Sequence, residues 1–386
     1  MIERIVEAGD TKIIFLVIDG LGGLPSPDTG RTELEEARTP NMDELAKRGM
    51  TGLVDPISPG ITPGSGPGHL ALFGYDPFKY ELGRGVLEVL GKGFELSKDD
   101  IALRGNLCVV RDGRIVDRRA GRISDEEACE LVKALKDIKI EGAHIEVLHV
   151  KEHRFGLVLR GEGLSPEVED TDPQRNGLPP RDPRPLSPHA QKTSEILRRF
   201  IDKAKDILKG KTANMVILRG ASKLPRIESF GERYKLRALA IASYPMYKGI
   251  SRILGMDVAE GEIIDTLRRK YKEYDFFYIH IKEADKFGED GDFSGKVRVI
   301  EEVDRLIPPI LELEPDVLFI GSDHSTPSLL KSHSWHPVPF IIFSKNAMPS
   351  GASGFSERGV SGYRIRGVDV MPLVLAHARR LKKYGA

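Results

Sequence analysis

A chain of 386 residues with 40% hydrophobic content can bury a large core, and it exceeds the roughly 250–300 residues at which one core stops growing, so two domains are expected. Lysine plus arginine equals aspartate plus glutamate at 58 each, which excludes a global field drawing the molecule to nucleic acid or to an anionic membrane. MIERIVEAGDTKIIF carries charges where a signal peptide would be apolar, the run Ile13 to Ile18 is too short to span a bilayer, and Cys108 and Cys129 lack CxxC spacing, so a cytoplasmic protein without a disulfide framework or zinc knuckle is expected.

The first element, KIIFLVID (12 to 19), is a continuous apolar run ending in an acid, as in a strand of a parallel sheet covered on both faces. Asp19 then stands at its carboxyl end. Thr39 as N-cap, Pro40 at the first helical position and Gly49 after the last turn mark the next helix. DPISPGITPGSGPGHLALFGYDP (55 to 77) follows, with Ser65 among Gly64, Gly66 and Gly68. Missing side chains let a bulky anion approach that backbone, and a short helix after it offers its N-terminus to a phosphate. No GK[ST] follows, so this is not a Walker A loop. A purely structural Gly/Pro turn would explain the glycines without the serine.

The middle of the chain changes style. ALRGNLCVV and GRIVDRRA flank Asp112-Gly113, a hairpin signal. Ser124 and Glu127 form a capping box, and HIEVLHV with FGLVLRG forms a second hairpin around Lys151 to Arg154. A proline-punctuated stretch (165 to 188) is too long and aperiodic for an ordinary connection, so it is a functional loop or a mobile linker. A long helix near 188 to 209 then leads to NMVILRG. Between Arg104 and Arg122 six arginines stand against Asp112 and Asp117, forks that match carboxylate and phosphate oxygens. A solvated basic surface is the alternative, above all for Arg111 and Arg114.

The opening style returns with LRALAIA (236 to 242), a helix near 260 to 272, YDFFYIHI (274 to 281), a helix from about 296 shortened by Pro308 and Pro309, DVLFIG (316 to 321) and VPFIIF (338 to 343). This alternation predicts an α/β fold, a mainly parallel sheet with helices on both faces, plus an inserted smaller α+β domain. Asp323 and His324 leave one strand at its carboxyl end, His333 and His336 precede the next, and Asp285 and Glu289 follow YDFFYIHI. Ligands bind open α/β sheets at such ends, and carboxylate with imidazole suits Mn²⁺ or Zn²⁺, or Mg²⁺ where oxygen dominates. Solvated loop histidines and a hydrated acidic loop are the bland alternatives.

Taken together, VIDGLGG, TPGSGPGHLALFGYDP, DKFGEDGD, GSDHSTP and HSWHPVP, with DRRAGR, HRFGLVLRGEGLS, DTDP and LRGAS, resemble the cofactor-independent phosphoglycerate mutases of the archaeal type, in the alkaline phosphatase superfamily. The likeness covers nearly the whole chain. It implies a metal-binding catalytic domain (1–78 and 235–386) of alkaline-phosphatase-like fold, an inserted substrate-clamping domain (79–234) and two divalent ions. Mn²⁺ is expected first, with Zn²⁺, Mg²⁺ or Co²⁺ as alternatives, and 2,3-bisphosphoglycerate is not required. By motif position Asp19, Ser65, Asp323 and His324 would hold one ion, with Ser65 transiently phosphorylated, and Asp285 and His333 belong to the second. The family's D-x-x-G-H-D-G-D has Glu289 here in place of its histidine. Either Glu289 binds directly or His336, absent from the usual HSADPVP, supplies the imidazole.

The resemblance further implies substrate contacts from Asp117, Arg118, Arg119, Arg122, His153, Arg154 and Asp170, and roles at the reacting group for Arg219, Lys248 and Asp172, with Asp170 or Asp172 of DTDP handling the hydroxyl proton. The implied reaction is the interconversion of 3-phosphoglycerate and 2-phosphoglycerate in glycolysis and gluconeogenesis, with a small phosphorylated acid as partner and a homo-oligomer allowed. A phosphohydrolase or phosphonate hydrolase of the same superfamily is the first alternative; a non-catalytic metal- or phosphate-binding protein is the second.

Overall fold

The computed structural model describes residues 2–385; residues 1 and 386, the ends of the expected first domain, lie outside them. The chain forms two compact units, one of residues up to Glu81 together with those from Ile227 onward, the other Leu82–Arg226. In the first unit an eight-stranded sheet runs in the order Tyr363–Arg366, Met50–Asp55, Val338–Ser344, Val317–Gly321, Ile13–Ile18, Phe276–Ile281, Ala238–Ile241 and Asp257–Ala259. All six residues of Ile13–Ile18 are buried, because parallel neighbours on both sides and packed layers on both faces enclose the strand. Alternation sends Phe15 to one face, with ring centroids 4.9 Å from Phe276 and 4.6 Å from Phe319, and Ile14, Leu16 and Ile18 to an aliphatic core with Leu239, Phe277 and Ile300.

The fold is mixed α/β with a largely parallel sheet. VPFIIF departs from the expected pattern: Val338–Ser344 runs antiparallel to both Val317–Gly321 and Met50–Asp55, since an apolar run signals a buried strand but not its direction. Thr39 precedes the helix Pro40–Arg48 without a side-chain cap bond. Pro308 and Pro309 fall in a separate short helix, Ile307–Leu311, after Phe293–Asp304 has ended.

The second unit holds a five-stranded antiparallel sheet in which Ile101–Arg111 pairs with Arg114–Asp117, Arg154–Arg160 and Met215–Ser222, and His144–Lys151 adds beyond Arg154–Arg160. Ser124 Oγ accepts from Glu127 N at the start of the helix Asp125–Leu135. That helix and Gln191–Ile207 bury Val132, Leu135, Leu197 and Phe200 in one core with Phe155 and Leu157. The proline-rich stretch is a fixed strap: Thr171 N donates to Leu218 O, Arg181 N to Thr171 O and Glu169 N to Arg184 O, each at 2.8–2.9 Å. No helix among the described residues is long and apolar enough to cross a membrane.

Gly105 lets the ring of Phe155, its partner on the neighbouring strand, lie flat on the sheet, because a Cβ there would lie 2.1 Å from that ring. Gly105→Ala should therefore lower stability by about 1–3 kcal/mol through overpacking, read as a lower urea midpoint of the whole protein. An unshifted midpoint would contradict this packing.

Candidate active site

Parallel register aligns the carboxyl ends of three adjacent strands, with Ile18 opposite Ile281 and Val17 opposite Gly321. Asp19, the Lys282–Asp285 turn and Asp323–His324 leave the sheet there. Ser65 opens the helix Ser65–Leu72 behind Gly64, so its hydroxyl sits where free backbone N–H groups favour an anion. Close approach sets this position: a Cβ on Gly68 would lie 2.4 Å from the Asp323 carbonyl oxygen. The loops after two of these strands are pinned by Lys296, fully buried, whose ammonium donates to Gly22 O (3.0 Å) and Thr326 O (2.9 Å).

Asp19, Asp323 and His324 form one group able to hold a metal ion. Asp19 Oδ1, Asp323 Oδ2 and Ser65 Oγ each lie 3.2 Å from His324 Nε2, near the roughly 3.3–3.6 Å edge of a tetrahedral ligand set around an ion with 2.0–2.2 Å bonds. Both carboxylate oxygens are buried and face only imidazole nitrogens, His324 Nε2 for each and His69 Nδ1 at 3.1 Å for Asp323 Oδ2, an arrangement that is costly in the protein alone and is relieved by a cation. Asp19 Oδ2, by contrast, accepts from the Tyr247 hydroxyl, from His280 Nε2 (3.0 Å) and from Lys282 Nζ (3.2 Å). One oxygen is saturated and the other is left open. Burial would raise the Asp19 carboxyl, but Lys282 and the hydrogen bonds of His280 and His324 hold it well below the usual range.

His324 Nδ1 lies 3.0 Å from Thr326 Oγ1, which itself donates to Asp285 Oδ1 (2.6 Å); Nδ1 is thus the donor and Nε2 keeps its lone pair for an ion. Without an ion, burial opposes protonation of His324, but Asp323 and Asp19 outweigh it and push the imidazole up to about 9.

Asp285, His324 and His333 make a second group. Around His333 Nε2 stand Asp285 Oδ1 at 3.5 Å, which also accepts from Thr326, and Glu289 Oε1 at 3.8 Å, outside the group of Asp285, His324 and His333. His333 Nδ1 donates to Pro63 O (2.9 Å), aiming Nε2 inward. The segment Glu283–Asp290 is helical, so the spacing of four puts Asp285 and Glu289 on one face. His336 belongs to neither group. Its Nδ1 is 3.1 Å from Ser334 Oγ and its ring stacks on Trp335. Lys248 pairs with Glu260 at 2.5 Å.

Three groups at this end were not singled out from the sequence: Tyr247, stacked on His280 at 3.6 Å, His280 itself and Lys282; His69, in the Gly/Pro-rich stretch, places Nδ1 2.9 Å from Ser65 O and 3.1 Å from Asp323 Oδ2. Only the apolar alternation of YDFFYIHI, which admits a histidine at an inward position, signalled any of them.

In the second unit, Asp172 is buried and receives a fork from Arg118 (2.7 and 2.6 Å) with Arg219 at 3.5 Å. Burial would raise its carboxyl, yet Arg118, the Gln174 N–H and Arg219 hold it below the ordinary value. Asp170 accepts from Gly220 N (2.8 Å). Asp117 accepts from the N–H groups of Arg119 and Gly121, both 2.7 Å, and holds a loop in which Ala120, Gly121 and Arg122 have φ of 47°, 69° and 54°. Such backbone clusters at functional loops. His153 is buried and driven down to about 3, first by burial and then by Arg154, Arg104, Arg119 and Arg122. The register sets Arg104 directly opposite Arg219, a like-charge pair that destabilises a sheet. Glu88, 3.3 Å from Arg104, answers only part of this charge. In the sequence Arg104 reads only as part of a basic run, and no local pattern marks Glu88.

Residues 46–214 match the family described as 2,3-bisphosphoglycerate-independent phosphoglycerate mutase. A protein of Aquifex aeolicus named "Probable 2,3-bisphosphoglycerate-independent phosphoglycerate mutase" is 48% identical, with both chains covered in full; one of the same name from Thermosipho africanus is 48% identical over 100% of this chain and 98% of its own. Among solved structures, a Pyrococcus horikoshii protein superposes with a TM-score of 0.84 at 32% identity, over 98% of this chain and 100% of its own. The cofactor-independent phosphoglycerate mutase of Thermoplasma acidophilum gives 0.73 at 32% identity, over 95% and 100%.

Two outcomes follow from the ligand geometry. Thr326→Val removes the groups that orient His324 and Asp285, and should weaken Mn²⁺ binding by about 10–100-fold in a calorimetric titration; unchanged affinity would contradict the tautomer assigned to His324. Because an ion must displace the His324 proton, apparent Mn²⁺ affinity should rise as pH goes from 6.5 to about 9. The same raised imidazole stabilises the ion-free fold fully below pH 6.5 and ceases to do so as pH passes about 9. A flat affinity profile over this window would speak against His324 as a ligand.

Proposed function

The chain belongs to the 2,3-bisphosphoglycerate-independent phosphoglycerate mutases, and from that premise we propose that it interconverts 3-phosphoglycerate and 2-phosphoglycerate through a phosphoserine at Ser65. The observation carrying this reading is the convergence of Ser65 Oγ, Asp19 Oδ1 and Asp323 Oδ2 on His324 Nε2 at 3.2 Å each. A serine hydroxyl is a weak nucleophile at neutral pH unless its alkoxide is stabilised. Asp19, Ser65, Asp323 and His324 would hold one divalent ion and Asp285, Glu289 and His333 a second, Mn²⁺ ahead of Zn²⁺, Mg²⁺ or Co²⁺; when bound, such ions supply charge that stabilises the alkoxide and the transferring phosphoryl oxygens.

The residues divide the remaining work. Ser65 Oγ attacks phosphorus, the bond to the glycerate oxygen breaks, and the helix N-terminus at Ser65 receives the phosphate charge. Glycerate must stay bound and present its other hydroxyl, which then takes the phosphoryl group from Ser65. Arg118, Arg119, Arg122, Arg154 and Arg219 bind the carboxylate and phosphate oxygens, and the facing of Arg104 and Arg219 across the ladder, each with an acidic partner in Glu88 and Asp172, supports an anion-binding face. Asp172, locked to Arg118, aligns an arginine fork in this account and does not move a proton. Asp117, His153 and Asp170 shape the same face.

Purified protein with Mn²⁺ and 3-phosphoglycerate, coupled to enolase with free phosphate followed in parallel, tests the reading. Enolase-coupled turnover should exceed phosphate release many-fold, brief exposure to substrate should leave phosphate on Ser65, and Ser65→Ala should lower kcat by at least about 1,000-fold. Phosphate release at the rate of substrate loss would instead identify a phosphohydrolase, and no phosphoserine with no turnover would indicate a binding protein. Glu289→Ala should weaken the second ion, whereas His336→Ala should leave metal binding intact; the reverse result would reassign the ligand.

A further inference from the structure

We infer that Lys282 is a positioning residue that yokes the two candidate ion sites by holding one oxygen of Asp19 and one of Asp285, so that the other oxygen of each faces its own ion; this rests on the two-ion reading above. Lys282 is the first residue beyond the strand Phe276–Ile281 and the N-cap of the helix Glu283–Asp290. Its ammonium donates to Asp19 Oδ2 (3.2 Å), to the Tyr247 hydroxyl (3.1 Å) and to Asp285 Oδ2. The two aspartates follow different strands, Asp19 directly and Asp285 within the next helix, and belong to different ligand groups. Lys282 takes only the Oδ2 atoms. Asp19 Oδ1 faces only His324 Nε2 at 3.2 Å, and Asp285 Oδ1, which accepts from Thr326 Oγ1, is turned to His333 Nε2 at 3.5 Å.

Coulomb repulsion alone makes a cation between two ion sites unfavourable for metal binding, so its removal should tighten both ions. Positioning predicts the opposite sign, because without the ammonium two buried carboxylates repel and rotate. The ammonium therefore separates two explanations that a loss of activity would not.

The test is a Mn²⁺ titration of the full chain, read by calorimetry and by the electron paramagnetic resonance of bound Mn²⁺, for wild type, Lys282→Met, Lys282→Gln and Lys282→Arg. Wild type should bind two ions and show a spin-coupled pair. Lys282→Met should bind the second ion about 10–100-fold more weakly and lose the coupled signal at one to two equivalents, and Lys282→Arg should restore it. If Lys282→Met fails to fold, Lys282→Gln is read by the same criteria. Two ions bound as tightly or more tightly by the neutral variants, with the coupled signal kept, would overturn the role of Lys282 alone. Fewer than two ions in wild type would overturn the two-ion reading and this inference with it.

Discussion

Three aspartates, Asp19, Asp285 and Asp323, lie at most 1% exposed at one edge of an apolar sheet, and burying that much negative charge is the constraint around which this end of the molecule is built. Each carboxylate taken from water without a partner costs several kcal/mol. The protein answers with Lys282, His324 and the hydroxyls of Tyr247 and Thr326, but it answers incompletely. Asp19 Oδ1 and Asp323 Oδ2 stay open but for imidazole nitrogens, His324 Nε2 for both and His69 Nδ1 for Asp323. Those openings share a direction, toward His324 Nε2 and Ser65 Oγ, and the parallel register that brings three strand ends level is what makes the direction common.

The second unit solves the inverse problem with positive charge. Arg104 faces Arg219 across the ladder, Asn106 faces Arg154, and the loop bearing Arg118, Arg119 and Arg122 is bent through left-handed backbone by Asp117. A sheet optimised for stability would not adopt this pattern. Buried Asp172 pairs with Arg118 and Arg219, and buried Glu88 with Arg104 and Arg154, which holds these forks in place. One unit thus gathers buried carboxylates and the other clustered arginines, the charge distributions that the proposed binding of divalent cations and of an acid with two anionic groups requires.

Much of this was legible in the sequence because strand ends announce themselves: apolar runs terminate in Asp19 and before Asp323, and the Asp285–Glu289 spacing becomes a ligand face once the segment is helical. Ser65 among glycines was legible for steric reasons. Tyr247, His280 and Lys282 were not, since their roles exist only when Phe276–Ile281 lies beside Ile13–Ile18, an adjacency no local pattern encodes. Arg104 needed the cross-strand register for the same reason. Val338–Ser344 reads as a buried strand whichever way it runs. His336 was attractive by its nearness to His333, yet three residues along an extended loop carried its ring to Trp335.

The direct test of the central claim, that the open carboxylate oxygens mark two cation sites around the Ser65 nucleophile, is anomalous diffraction from a crystal of the full chain soaked in Mn²⁺. Two anomalous peaks are expected, one among Asp19, Ser65, Asp323 and His324 and one among Asp285, Glu289 and His333. A crystal with no peak within bonding distance of Asp19 Oδ1 and Asp323 Oδ2 would contradict the account.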